Sequence, residues 1–165
     1  MPEAISNASP LIQLAKIGQL SLLAQLYPRV LIPGAVHREV VAAGGGRPGS
    51  EGVAQAVADG WLVPTMVSED KALELLREQL DDGEAEAIRL ALGPPAAVVL
   101  LDDMAARSIA SRLGLQVTGT LGLLLRAKQM GYIAAVQPVI EQLRADGRFH
   151  VAPGVVAQVL AAAGE

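Results

Sequence analysis

Apolar residues follow two rhythms along this chain. Short, nearly unbroken runs at Ala4–Ser6, RVLIP (29–33), WLVPTMV (61–67), AAVVLLD (96–102) and LQV (115–117) alternate with stretches whose apolar positions recur every three or four residues. The first kind of run suits a strand buried on both faces, the second a helix with one buried stripe. Their alternation along the whole length predicts an α/β domain with a short, mostly parallel sheet.

The helical stretches have readable ends. Ser9 and Pro10 read as an N-cap and a first helical residue, and PLIQLAKIGQLSLLAQLY (10–27) as a helical hairpin broken near Gly18. GAVHREVVAAG (34–44) is a helix stopped by glycine, and another covers about 51–59. EDKALELLREQL (69–80), GEAEAIRLALG (83–93), DMAARSIASRLG (103–114) and TLGLLLRAKQMG (120–131) complete the main pattern. The tail, 136–165, adds a helix PVIEQLRADG, a short extended RFHVA and a last helix PGVVAQVLAAAG, expected to pack on the domain or on a second copy. GGGRPGSEG (44–52) follows a helix rather than a strand and lacks the Lys-Ser/Thr ending of a phosphate-binding loop, so it reads as a flexible connection. The 165 residues suit a single domain, 1–165, with a substantial core.

Composition narrows the chemistry. Hydrophobic residues make up 52% and aromatics 2%, so the core is aliphatic and offers few rings for stacking bases. A net charge of −4 with no run of Lys or Arg argues against a module held to DNA by a basic surface, leaving only a basic patch assembled by folding. The lack of cysteine excludes disulfides, thiol catalysis and thiolate zinc sites, and His37 and His150 match no common zinc spacing. The start, MPEAISNASP, lacks the basic and apolar segments of a signal peptide, and no stretch approaches the roughly 18 apolar residues of a membrane span. A soluble cytoplasmic protein is expected.

Three carboxylates stand in places that need explaining. Asp102 closes an apolar run, and ligands of open α/β sheets gather at the carboxyl ends of strands. Its plainer role is to cap a helix starting at Asp103. Asp103, the lesser candidate, lies four residues before Arg107, an ion-pair spacing. Glu39 has Ala35, Val36, Ala42 and Ala43 as helical neighbours, so its carboxylate is expected within a small apolar patch, costly unless paired or bound to a cation. Glu84 has Ala87 and Ile88 ahead of it, whereas Glu86 has Arg89 three residues on and reads as solvent-facing. Glu84 is therefore the site candidate, its plainer role that of a helix N-terminal acid. Acids converging from separate segments would raise one another's pKa values, and a divalent cation would relieve the repulsion. Oxygen-only donors favour Mg²⁺ or Mn²⁺ over zinc, and such an ion suits phosphodiester hydrolysis.

Four stretches, ISNASPLIQLAKIG, VLIPGAVHREV, DDGEAEAIRLA and VVLLDDMAARSIASRLGLQVTGTLGLLLRAKQMGYI, together resemble a PIN-like domain over nearly the whole chain, the last being the most specific. The likeness is to a particular branch of that superfamily more than to its typical VapC-like toxins. It implies a three-layer α/β/α fold with a short, mostly parallel central sheet, and a Mg²⁺- or Mn²⁺-dependent ribonuclease, in many members the toxin of a toxin-antitoxin pair. RNA, an antitoxin protein and a second copy of the chain are the implied partners, with no membrane. The family's acidic positions fall on Asn7, Glu39, Glu84 and Asp102, with Asp103 a lesser metal ligand. Glu39, Glu84 and Asp102 would bind the metal, directly or through water, for in-line attack of a metal-activated water on RNA. Asn7 replaces the expected aspartate; its amide oxygen can still hold a metal or a water but brings one negative charge fewer. Thr118 and Thr120 add hydroxyls to the same edge, Thr120 being equally an N-cap, and Arg107, Arg112 and Arg126 are candidate phosphate contacts.

The alternative is a PIN-like scaffold that has lost catalysis and serves as a binding or regulatory module, for which Asn7 is the best argument. A phosphotransfer receiver would carry its acid pair after the first strand and a lysine after the fifth; here the pair is late and Lys128 lies inside a helical pattern. A haloacid-dehalogenase-like phosphatase would carry Asp-x-Asp after its first strand, and none is present. Leu22, Leu23, Leu123 and Leu124 belong either to the core or to a dimer face or antitoxin groove.

Overall fold

The pleat of a strand sends successive side chains to opposite faces, so a run apolar at every position needs cover on both sides. The computed structural model of the chain, which describes residues 3–42, 46, 49–93 and 97–165, has that cover. Five strands, β1 (Ala4–Ser6), β2 (Val30–Pro33), β3 (Leu62–Thr65), β4 (Val98–Leu100) and β5 (Gln116–Thr118), form one sheet in the order β3-β2-β1-β4-β5. Every pairing is parallel; Ala4 lies opposite both Val30 and Val98. Ala4, Val30, Ile32, Val98 and Leu100 enter one core, Ile5, Leu31, Val99 and Leu101 the other.

The helices follow the strands as crossovers. They are α1 (Ala8–Lys16), α2 (Ser21–Leu26), α3 (Gly34–His37), α4 (Ser50–Ala58), α5 (Lys71–Arg77), α6 (Asp82–Ala91), α7 (Met104–Arg112), α8 (Thr120–Gln129), α9 (Gln137–Arg144) and α10 (Pro153–Ala162). A π-helical turn, Arg38–Ala42, extends α3. Helices α5, α6 and α7 pack on one face of the sheet, and the others supply the core on its opposite face. The architecture is thus the expected three-layer α/β/α, with a sheet that is wholly parallel among the described residues. No described helix is long and apolar enough to cross a membrane.

The tail packs on the domain. Val139, Ile140, Leu143 and Val156 join the first core, and Phe149 anchors residues 148–152, which form no strand. The Glu165 carboxylate accepts from the backbone N–H of Val136 at 2.7 Å and from Lys128 Nζ at 3.0 Å. Leu22, Leu23, Leu123 and Leu124 are all core, so none forms an exposed face. The glycine stop expected at Gly44, and residues 45, 47 and 48 of the loop expected over 44–52, lie outside the described residues; residues 50–52 of that expected loop open α4 instead.

Candidate active site

From β1 the chain moves outward to β2 and β3, whereas β4 and β5 lie on the other side of β1. Connections leaving β1 and β4 therefore diverge, and an open α/β sheet has its ligand crevice at such a switch, outside the carboxyl ends of the strands. Asn7 follows β1 here, its N–H donating to Leu100 O at 3.1 Å, and Asp102 follows β4.

Asp102 is firmly held. Its Oδ2 accepts from the Ser9 hydroxyl at 2.9 Å and the Thr120 hydroxyl at 2.7 Å, while Oδ1 accepts from Thr120 N–H at 2.7 Å. It therefore caps α8 across space instead of the helix beside it. Asp103 caps α7, accepting from Ala106 N–H at 2.9 Å, and among the described residues forms no ion pair with Arg107. Thr120 is the first residue of α8, with Gly119 at the N-cap; Ser9 lies within α1, whose N-cap position is Asn7. The caps expected at Ser9, Asp102 and Thr120 are thus all displaced by long-range bonds that local sequence does not display.

Further acids come from α6 and from the π-helical turn. Asp81 and Glu84 form a capping box at the start of α6, Glu84 N–H donating to Asp81 Oδ1 at 2.8 Å. Half-buried Glu84 has its carboxyl pushed above the usual glutamate range, first by burial and then by the charge of Asp81, with smaller contributions from Asp103 and Glu39. The charges of Asp103, at the start of α7, and of Glu39, on the π-helical turn, are thus both felt at the Glu84 carboxyl. Glu39 itself is exposed, not set in an apolar patch. Asn7 is 7% exposed, and a Cβ at Gly83 would stand 2.9 Å from its Oδ1, so the absence of a side chain there lets α6 approach β1.

The model of a PIN domain family matches residues 3–165. The chain belongs to the PIN-domain family. No curated protein matches it. PIN domains are generally divalent-metal-dependent nucleases, and the donors at this edge are all oxygens, the class that hard cations take. Among the described residues no three acids lie close enough to hold one bare ion. The donor set fits a hydrated hard cation that keeps several of its own waters, as Mg²⁺ does; burial is the first cause of the raised Glu84 carboxyl, and the lesser ones, the charges of Asp81, Asp103 and Glu39, are those such a cation would relieve.

Other residues of this PIN domain depart from expectation. Glu86, read as solvent-facing, is 6% exposed and accepts from Ala35 N–H at 2.8 Å and from Arg77 at 3.3 Å. Its expected partner Arg89 is taken by Asp70 at 2.9 Å. Arg126 sits over the Tyr27 ring, 5.4 Å from its centre, and Arg112 is exposed at the end of α7. Sequence assigned Ser9 only an N-cap role and did not single out Asp81, Gly83 or Gly119. The glycines carried a usable signal: Gly83 stands in the first turn of a helix, where glycine is unfavourable unless close approach requires it.

Proposed function

We propose that this PIN domain is a cytoplasmic ribonuclease that hydrolyses RNA phosphodiesters at the β1–β4 edge with Mg²⁺ or Mn²⁺. What supports the reading is that four segments bring oxygen donors toward this switch point: Asn7 after β1, Glu39 on the π-helical turn, Glu84 with Asp81 on α6, and the Asp102–Asp103 pair after β4. A bound divalent cation would supply charge neutralisation for the scissile phosphate and acidify a water. Glu39, Glu84 and Asp102 hold it, with Asp103 contributing; Asn7 orients a water or the substrate. Ser9 and Thr120 fix the Asp102 carboxylate so that its direction survives the arrival of a polyanion.

The test is cleavage of a labelled RNA in Mg²⁺, in Mn²⁺ and in EDTA by the wild-type protein and Asp102→Asn. Metal-dependent cleavage abolished in the variant is expected; cleavage unaffected by EDTA and by the variant contradicts the reading. The second reading, a binding or regulatory module, is favoured by Asn7, which brings no charge. Asn7→Asp distinguishes the two: a weakened metal site gains Mn²⁺ affinity, a purely structural one does not. The toxin role, the antitoxin and the homodimer rest on family likeness, and Leu22, Leu23, Leu123 and Leu124 are in the core and offer no face for such a contact.

A further inference from the structure

An acidic edge on a chain of net charge −4 repels a polyanion before any chemistry begins, so a site for a nucleic-acid strand needs fixed positive charge at the same spot. We infer that Arg107 is that charge: the guanidinium beside Asp102 seats a backbone phosphate of the RNA. This rests on the ribonuclease reading above and names its substrate contact.

Arg107 projects from the first turn of α7, and its Nη1 donates to Leu101 O at 2.8 Å, just before Asp102 in the chain. A Cβ on Gly119 would stand 2.8 Å from Arg107 Nη1 and 2.9 Å from Asp102 Oδ1. Gly119 has φ −100° and ψ −178°, backbone that any residue adopts, so what a side chain here would meet is a matter of space, with the Leu101 carbonyl a further 3.3 Å contact. What that space accommodates is a guanidinium on one side and the anchored carboxylate on the other. The arginines of the neighbouring layer are neutralised, Arg77 by Glu69, Asp82 and Glu86, and Arg89 by Asp70. No described carboxylate lies within ion-pair distance of Arg107, which is held by a neutral carbonyl and keeps its charge. It is half-buried, and its remaining N–H groups donate to no described residue. A planar fork with free donors is the form in which arginine grips a phosphate.

The experiment is fluorescence anisotropy of a labelled ten-nucleotide RNA in EDTA, titrated from 50 to 200 mM KCl, with wild-type protein, Arg107→Gln and Arg107→Lys. Loss of about tenfold in affinity and of about one unit in the salt slope is expected for the glutamine variant, while lysine keeps the slope with part of the affinity. The lysine variant also guards against a folding defect, since it preserves a donor for Leu101 O. DNA of the same sequence is expected to lose affinity equally; a loss confined to RNA would assign the contact to the 2′-hydroxyl and overturn the inference. Unchanged affinity and slope in Arg107→Gln, or no RNA binding by the wild type, also overturns it. Because EDTA removes hydrolysis from the readout, an Arg107-dependent slope in a protein that never cleaves RNA would leave this inference standing and remove the ribonuclease reading alone.

Discussion

Glu84 and Glu86 are two residues apart on one helix and have opposite fates. Glu84 is half-buried among other acids, and its folded-state pKa lies above its ordinary value of 4.5. The folded protein therefore holds that proton more tightly than the unfolded chain does. Its contribution favours folding below pH 4.5 and is lost as pH rises through the raised value. Glu84→Gln, which keeps a capping-box side chain, is expected to raise the urea midpoint in EDTA at pH 7 and leave it little changed at pH 4; in Mn²⁺ the order should reverse, because the cation favours the ionised carboxylate. Asp70 behaves oppositely: the Arg89 guanidinium holds it down to about 2, so its contribution is present above pH 3.8 and lost as pH falls through about 2, outside the Glu84 window. Glu86 is a structural acid. Glu86→Ala leaves Ala35 N–H without its acceptor and removes one of three carboxylates around Arg77, and should cost about 1–3 kcal/mol, read from the urea midpoint. Sequence pattern set Glu84 apart from Glu86 as the site candidate, yet mistook Glu86 for a surface residue. The cause is tertiary: Arg89 is bound by Asp70, and the partner that permits burial comes from α5.

Elements were legible where periodicity is strong, and their ends were not. The strand at Ala4–Ser6 and helices α5 to α8 stand close to where the apolar pattern sets them, because burial on one or both faces decides type more firmly than local propensity. Caps failed where the capping group came from far away, as at α8, whose first N–H bonds Asp102 eighteen residues earlier. Asp102→Ala leaves Thr120 N–H and two hydroxyls without that acceptor and is expected to lower stability by about 1–3 kcal/mol in addition to abolishing cleavage. Gly83 sets two effects against each other. Alanine would improve the helix by about 1 kcal/mol in isolation, yet its Cβ would meet Asn7 Oδ1 at 2.9 Å. The clash should prevail, so Gly83→Ala is expected to lower both the melting temperature and Mn²⁺ affinity, measured by calorimetry.

At the scale of the molecule, the decisive fact is the strand order, which the sequence pattern alone did not supply. Alternating strands and helices fit several parallel sheets, and only β1 beside β4 creates a crevice bordered by Asn7 and Asp102. In the proposed site α6 adds Asp81 and Glu84, with Gly83 set against Asn7 because it has no side chain, and the π-helical turn adds Glu39. On the proposed reading Asn7 brings one negative charge fewer than the acid the resemblance implies, so Asn7→Asp is expected to tighten Mn²⁺ binding several-fold, measured by calorimetric titration at fixed pH. The account stands most directly on anomalous diffraction from crystals grown in Mn²⁺. A single anomalous peak among Asn7, Glu84 and the Asp102–Asp103 pair is the expected result; an edge without anomalous density, while Mn²⁺ is found only elsewhere on the protein, would contradict it.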